Sequence, residues 1–490
     1  MRAWVTCLVI WAAAVVTPLG AAEPSGAGAP AWSARVQTVL DAAKPLQFPR
    51  QGRLPLYLWP ASNPGDLDEA TATLLLKELD RRGVGLVSSW TPKSRDESLR
   101  RALVVARAQQ ELGLHVNVNA SACLNRFFNG DPATAHVDDS GRPFWDESFD
   151  AGKSKHTMGC PFALDGRKPP IREQVETFAE AYQAAGVPLD FVFVDWEIDG
   201  PIEFNRAYEA SQRCTRCREH IEHLDNFLAF QKALREIRSQ LQHDALVEPI
   251  LSRFPGALVG NYAVYPHDGY RYWYDYFEYF VDGQPHLEDQ RARYRLWANE
   301  FAATGYTCAM PVAYTWYPTW SWYDFDVPDY RWFYNMLLVA SNAGRHAPAN
   351  VPVISFVHWH TTAPPESSDP AVKQFSEAAY QELLWHMLLR GTDTFFLWCP
   401  RDEDAEEVRL VAEVYAAAQQ YGEFLERGVP VRFDVPKQPG PVVSAIRLND
   451  RLLVRRTDFG ESRAPVEIAV GSQTISIESH PGEMQIVALQ

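Results

Sequence analysis

Eight short runs rich in β-branched and aromatic residues alternate with helical patterns along most of the 490-residue chain, and that alternation restricts the fold more than any other feature. The runs are Leu54–Trp59, Val84–Trp90, Leu114–Ser121, Asp190–Asp199, Ala257–Pro266, Thr307–Pro318, Val351–His360 and Thr392–Pro400, each bounded by turn residues. Between them, Leu67–Arg82, Arg95–Leu112, Glu173–Ala185, Asp225–Leu241, Glu288–Ala303, Pro328–Asn342, Val372–Leu389 and Asp402–Arg427 read as helices. Strand then helix, repeated in this way, predicts an α/β chain closed as a (β/α)8 TIM barrel over residues 49–429. Wider spacing after the third and fourth strands predicts long loops on the catalytic face, including about Ala122–Pro170. Two packed α/β domains are the alternative. After Pro430 the period shortens: Val442–Arg447, Arg451–Arg456, Pro465–Val470, Thr474–Glu478 and Gly482–Ala488 predict a small all-β sandwich domain over 430–490.

The N-terminus reads as an export signal. Arg2 precedes an apolar stretch from Trp4 to Val16, and Pro18, Gly20, Ala21 and Ala22 supply small residues for cleavage near Ala22. The stretch falls short of the roughly 20 residues a spanning helix needs. Residues 1–22 are therefore expected to be a signal peptide and 23–48 a leader, giving a secreted or periplasmic protein. With 46 Lys+Arg against 62 Asp+Glu the formal net charge is −16, which argues against nucleic acid and anionic membranes as partners. A monomer is expected. Once Cys7 leaves with the signal, Cys123, Cys160, Cys214, Cys217, Cys308 and Cys399 remain. The stretch Cys214-Thr-Arg-Cys217-Arg-Glu-His220-Ile-Glu-His223 has a metal-like look, but no second Cys pair follows it. A local disulfide capping a helix start is the expectation there, with no metal and no cofactor.

A barrel of this kind does its chemistry at the C-terminal ends of its strands. The fourth strand ends Phe191-Val-Phe-Val-Asp195-Trp-Glu197-Ile-Asp199, an apolar run leading into three carboxylates at alternate positions. Alternation places Asp195, Glu197 and Asp199 on one side and Trp196 on the other. Crowded acids at a buried strand end raise at least one pKa, as a general acid near neutrality requires. Tyr262, Tyr265 and His267 end the fifth strand, Tyr314 and Trp316 the sixth, His358 the seventh and Trp398 the eighth. Aromatic faces with polar tips suit a flat, hydroxyl-rimmed carbohydrate, so these residues, with Asp199, are expected to bind substrate. Strands six and seven end without a carboxylate, which leaves Asp195 and Glu197 on one strand as the catalytic pair. That arrangement fits retaining hydrolysis in which the sugar's 2-acetamido oxygen is the nucleophile, Glu197 the acid/base and Asp195 the orienting group. A Tyr hydroxyl, from Tyr265 or Tyr314, would hold the acetamido carbonyl.

Asp195-Trp196-Glu197, Gly260-Asn261-Tyr262-Ala263-Val264-Tyr265-Pro266, Tyr314 and Trp398 together resemble the hyaluronidase family of glycoside hydrolases, in order over roughly Leu54–Pro400. The resemblance implies a barrel, an Asp-x-Glu on the fourth strand and acetamido participation. It departs where Ile198-Asp199-Gly200-Pro201 follows the motif and where Pro266-His267-Asp268-Gly269-Tyr270 follows strand five. The −16 charge points to a glycan less anionic than hyaluronan. Three alternatives stand beside this reading. One is a two-carboxylate glycosidase with Asp195 as nucleophile and Asp268, Asp324 or Asp402 as partner. Another is a carbohydrate-binding barrel without turnover. The third is a metal-dependent deacetylase built on Asp195, His267, His358 and His360.

Overall fold

The computed structural model describes residues 32–124, 132–145, 150–151, 154–155, 159–196, 208–262, 264–266, 268–269, 295–316, 320, 325–362, 372–398 and 404–489. The expected signal peptide lies outside them.

Eight parallel strands form the centre: β1 (Leu56–Leu58), β2 (Val84–Gly85, resuming at Val87–Ser89), β3 (Asn117–Asn119), β4 (Phe191–Val194), β5 (Leu258–Asn261), β6 (Val312–Trp316), β7 (Ile354–Thr362) and β8 (Thr394–Leu397). The two segments of β2 pair with β1 and β3 respectively, ladders continue from β3 to β5 and from β6 to β8, and Tyr57 of β1 lies opposite Phe396 of β8, so the first strand meets the last. Between β5 and β6 the link runs through the amides of Thr307 and Cys308, both donating to the Val259 carbonyl. The sheet is thus a closed barrel. Alternation along each strand sorts its side chains. Phe191 and Phe193 of β4 point inward with Tyr57, Val87, Tyr262, Val312, Ile354, Phe356 and Phe396, while Val192 and Val194 pack outward against helices. Gly260 is needed where β5 passes the interior sulfurs, since a Cβ there would sit 2.5 Å from Cys308 Sγ.

The helices on the outside are α1 (Ala34–Ala42), α2 (Glu69–Asp80), α3 (Arg95–Glu111), α4 (Lys168–Ala184), α5 (Phe227–Gln242), α6 (Trp297–Thr304), α7 (Pro328–His346), α8 (Glu377–Leu388), α9 (Asp404–Ala418) and α10 (Gly422–Arg427). Their starts follow capping chemistry: Asp68 accepts from the Thr71 amide at α2, and Ser376 from the Ala379 amide at α8. The stretch expected to be a leader contains α1, whose Val36, Val39 and Leu40 are buried in the cluster that includes α9. The helical pattern from Asp402 to Arg427 divides into α9, a 3-10 turn at Gln419–Tyr421 and α10.

The C-terminal region is antiparallel. Strands β9 (Val429–Pro430), β10 (Pro441–Leu448), β11 (Arg451–Asp458) and β14 (Met484–Ala488) form one sheet, and the hairpin of β12 (Val466–Val470) and β13 (Gln473–Ile477) packs on it through Ile468, Val470 and Ile477. Arg390, fully buried just beyond α8, joins this region to the barrel. Its guanidinium donates to Ser444 Oγ and Ser341 Oγ, each at 2.7 Å, and to the carbonyls of Asp434 and Val443. Gly344 makes room, because a Cβ on α7 at that point would meet the Arg390 carbonyl at 1.9 Å. His386 donates to or accepts from Ser444 and Thr457, and burial pulls its pKa well below the ordinary imidazole value. Arg390→Met removes a donor from four acceptors but also removes a buried charge. It is expected to cost about 3 kcal/mol, read as a lower urea midpoint of unfolding.

Candidate active site

The rim at the C-terminal ends of the strands is where the structure gathers most of the expected residues it describes. Asp195 follows β4 by one residue and continues the inward parity of Phe191 and Phe193, whereas Trp196 turns outward into the cluster with Val192 and Val194. As a residue Asp195 is half-buried. Burial pushes its pKa up to about 6, and a hydrogen bond from the Tyr262 hydroxyl opposes that rise. Tyr262 is itself fixed by stacking on Phe356, with ring centroids 4.8 Å apart and planes at 6°.

The backbone around Asp195 is held from both neighbouring strands. The Asp195 amide donates to Ser121 Oγ at 2.7 Å, and Ser121 Oγ in turn donates to Asn119 Oδ1 at 2.5 Å. On the other side Asn261 accepts from the Trp196 amide at 3.3 Å and donates to the Trp196 carbonyl at 3.0 Å. The strand end therefore leaves its ladder without leaving backbone groups unpaired, and the carboxyl is oriented before any ligand arrives. Asn119, Ser121 and Asn261 were not singled out from sequence. Their signal was present as polar residues ending two buried apolar runs, Val116–Asn119 and Leu258–Asn261.

A second group closes the rim at β7 and β8. His358 is buried, edge-on to Trp398 at 5.0 Å, and its Nδ1 donates to Glu407 Oε2 at 2.9 Å. Glu407 Oε1 accepts from the amides of Trp359 (3.3 Å) and His360 (2.6 Å). Glu407 is fully buried in the first turn of α9, where the helix N-terminus favours negative charge. In sequence it is one acid of the run that opens the predicted helix Asp402–Arg427, with nothing local to single it out. Trp59, just past β1, is half-buried and packs edge-on to Phe193 at 5.9 Å, adding an unforeseen aromatic to the barrel interior.

Tyr265 is buried just beyond β5. Tyr314 and Trp316 lie on β6, with a register irregularity between them against β7. Glu197, Asp199 and His267 lie outside the described residues, as do Cys399, Asp324 and Asp402.

The Cys214–Cys217 expectation needs correcting. Cys123, Cys160, Cys214, Cys217 and Cys308 are free thiols. Cys214 occupies the cap position of the helix Thr215–His220 without a disulfide, and His220 Nδ1 bonds the Arg216 carbonyl instead of facing the thiols. Two residues from elsewhere in the chain, His136 and Cys160, join Cys214 and Cys217, a donor set assembled only by folding.

No family model and no curated protein matches this chain. Solved structures of similar outline include a β-galactosidase from the Antarctic haloarchaeon Halorubrum lacusprofundi, at 11% identity and TM-score 0.47, covering 78% of this chain and 59% of that one. A GH36 α-galactosidase from Geobacillus stearothermophilus in complex with raffinose matches at 10% identity and TM-score 0.42, covering 89% and 55%. An α-amylase from Geobacillus thermoleovorans, complexed with acarbose, matches at 9% identity and TM-score 0.42, covering 88% and 92%. The chain thus spans under two thirds of the length of the two galactosidases. At these identities the likeness is one of fold, and the barrel itself rests on the strand pairing described above.

Proposed function

We propose that this chain is an exported glycoside hydrolase, its signal cleaved near Ala22, acting on a glycan that carries a 2-acetamido sugar. The observation that carries the reading is Asp195: an inward carboxyl at the end of β4 with a pKa raised by burial and a tyrosine hydroxyl on it. In the first step the acetamido oxygen attacks the anomeric carbon as the glycosidic C–O bond breaks. The bonding pair goes to the leaving oxygen, which takes a proton from the Glu197 carboxyl. Asp195 accepts the acetamido N–H and offsets the positive charge spread over the cyclised intermediate. Water then adds to the anomeric carbon, passes its proton to the Glu197 carboxylate and reopens the ring. Trp398 and Trp59 offer apolar faces for sugar rings, and Tyr262 sets the orientation of Asp195.

Glu197→Gln tests the acid/base role. Hydrolysis is expected to fall by roughly 100-fold or more with an unchanged melting temperature. A thiazoline analogue of the cyclised intermediate is expected to inhibit wild type competitively. Full activity in the variant, measured by release of reducing ends, would remove Glu197 from the mechanism.

A further inference from the structure

The donor set noted above is gathered by the two loops that follow β3 and β4. His136 comes from a short hairpin in which His136–Val137 pairs with Pro143–Phe144, and Cys160 ends the same excursion. Cys214 and Cys217 come from the helix start at Thr215–His220, where a three-residue spacing turns both thiols to one side. All four side chains are fully buried, and their donor atoms lie within 4.8 Å of one another. Cys160 Sγ is 3.4 Å from Cys217 Sγ and 3.8 Å from Cys214 Sγ. A tetrahedron of zinc–sulfur bonds of about 2.3 Å has sulfur–sulfur edges of about 3.8 Å, so the thiols already sit at the corners such an ion requires.

The surroundings hold these corners in place. Phe144 stacks on His136 at 5.1 Å and fixes its buried ring beside the Cys214 thiol. The Cys160 amide donates to the Thr134 carbonyl at 2.8 Å, and Gly159 is required beside it because a Cβ would lie 2.0 Å from that oxygen. Thr215 Oγ1 and Arg216 Nη1 donate to the carbonyls of Val137 and Ala135, tying hairpin to helix independently of the sulfurs. A disulfide between any two of the cysteines would leave a third thiol and an imidazole buried without a role.

We propose that His136, Cys160, Cys214 and Cys217 form a closed, structural Cys3His zinc site that staples the loop after β3 to the loop after β4. All four positions are protein ligands, which marks the site as structural and not hydrolytic. The three cysteines belong to the same apolar cluster as Trp196, the residue after Asp195.

The test is metal content, which does not depend on any activity. Full-length protein purified from zinc-containing medium is expected to hold about one zinc per chain by elemental mass spectrometry, with Cys160→Ser and His136→Ala each retaining less than about a fifth of it. Because a variant can fail to fold, wild type carries the deciding measurement. Exchange into cobalt(II) should give thiolate charge-transfer bands and the intense visible bands of a tetrahedral ion. Stripping zinc with a chelator should lower the melting temperature by roughly 10 °C or more. Metal-free wild type with an intramolecular disulfide among Cys160, Cys214 and Cys217 would overturn the proposal. So would zinc that survives all the ligand substitutions, or a weak octahedral cobalt spectrum.

Discussion

Asp195→Asn is expected to abolish hydrolysis, by roughly 1,000-fold or more, while making the folded protein more stable. Both effects follow from one property. Burial raises the carboxyl from the ordinary 3.8 to about 6. A group whose folded pKa lies above its unfolded value contributes stability that is complete below the unfolded pKa and is lost as pH rises through the folded one. Ionised Asp195 is therefore a cost to the native state at pH 7. That cost is on the order of 1–3 kcal/mol. Asn keeps an oxygen to accept from Tyr262 but has no charge to desolvate, so its melting temperature at pH 7 should exceed that of wild type. The difference should shrink as pH falls below about 4 and vanish only well under the ordinary 3.8, where Asp195 is neutral in both states. In catalysis the ionised form is the working one, so the acid limb of the kcat/KM profile in wild type should fall near pH 6. A variant less stable than wild type at pH 7, or an active one, contradicts this account of the site.

Glu407→Ala should have the largest destabilising effect among substitutions at the rim, about 3–5 kcal/mol by urea unfolding. It strips the acceptor from His358 Nδ1 and from the amides of Trp359 and His360, all in or beside a buried position. Glu407→Gln retains the shape but turns an amide NH2 toward one of these donors, and about half that loss is expected. Both variants free the imidazole that packs against Trp398, so KM should rise more than kcat falls. An unchanged urea midpoint in Glu407→Ala would mean that the three donors find other partners.

The barrel was readable because its two periods are strong and local. Runs such as Phe191–Val194 and Thr394–Leu397 are apolar on both faces, one facing the interior and one the helices, and amphipathic helices separate them. The inward turn of Asp195 and the outward turn of Trp196 follow from simple alternation. What was not readable depends on residues distant in sequence. Glu407 is on α9 and serves β7, 47 to 49 positions away, so nothing in its local acidic context marked it as a partner of His358. Cys160 lies 57 residues before Cys217, and with His136 it completes a cluster whose visible half looked like an isolated helix cap. Helix α1 was missed for a different reason: its nine residues follow a Gly- and Ala-rich stretch, and its burial comes from docking on α9.

The central claim is that the rim around Asp195 hydrolyses a glycan through its own 2-acetamido group. The direct measurement is product release from matched oligosaccharides that differ only in the presence of that group, with wild type and Asp195→Asn compared side by side. The account predicts cleavage of the acetamido-bearing members with retention of anomeric configuration, no cleavage of the others, and no product in the variant. Equal cleavage of both sets, or a glycosyl adduct trapped on Asp195, would contradict it.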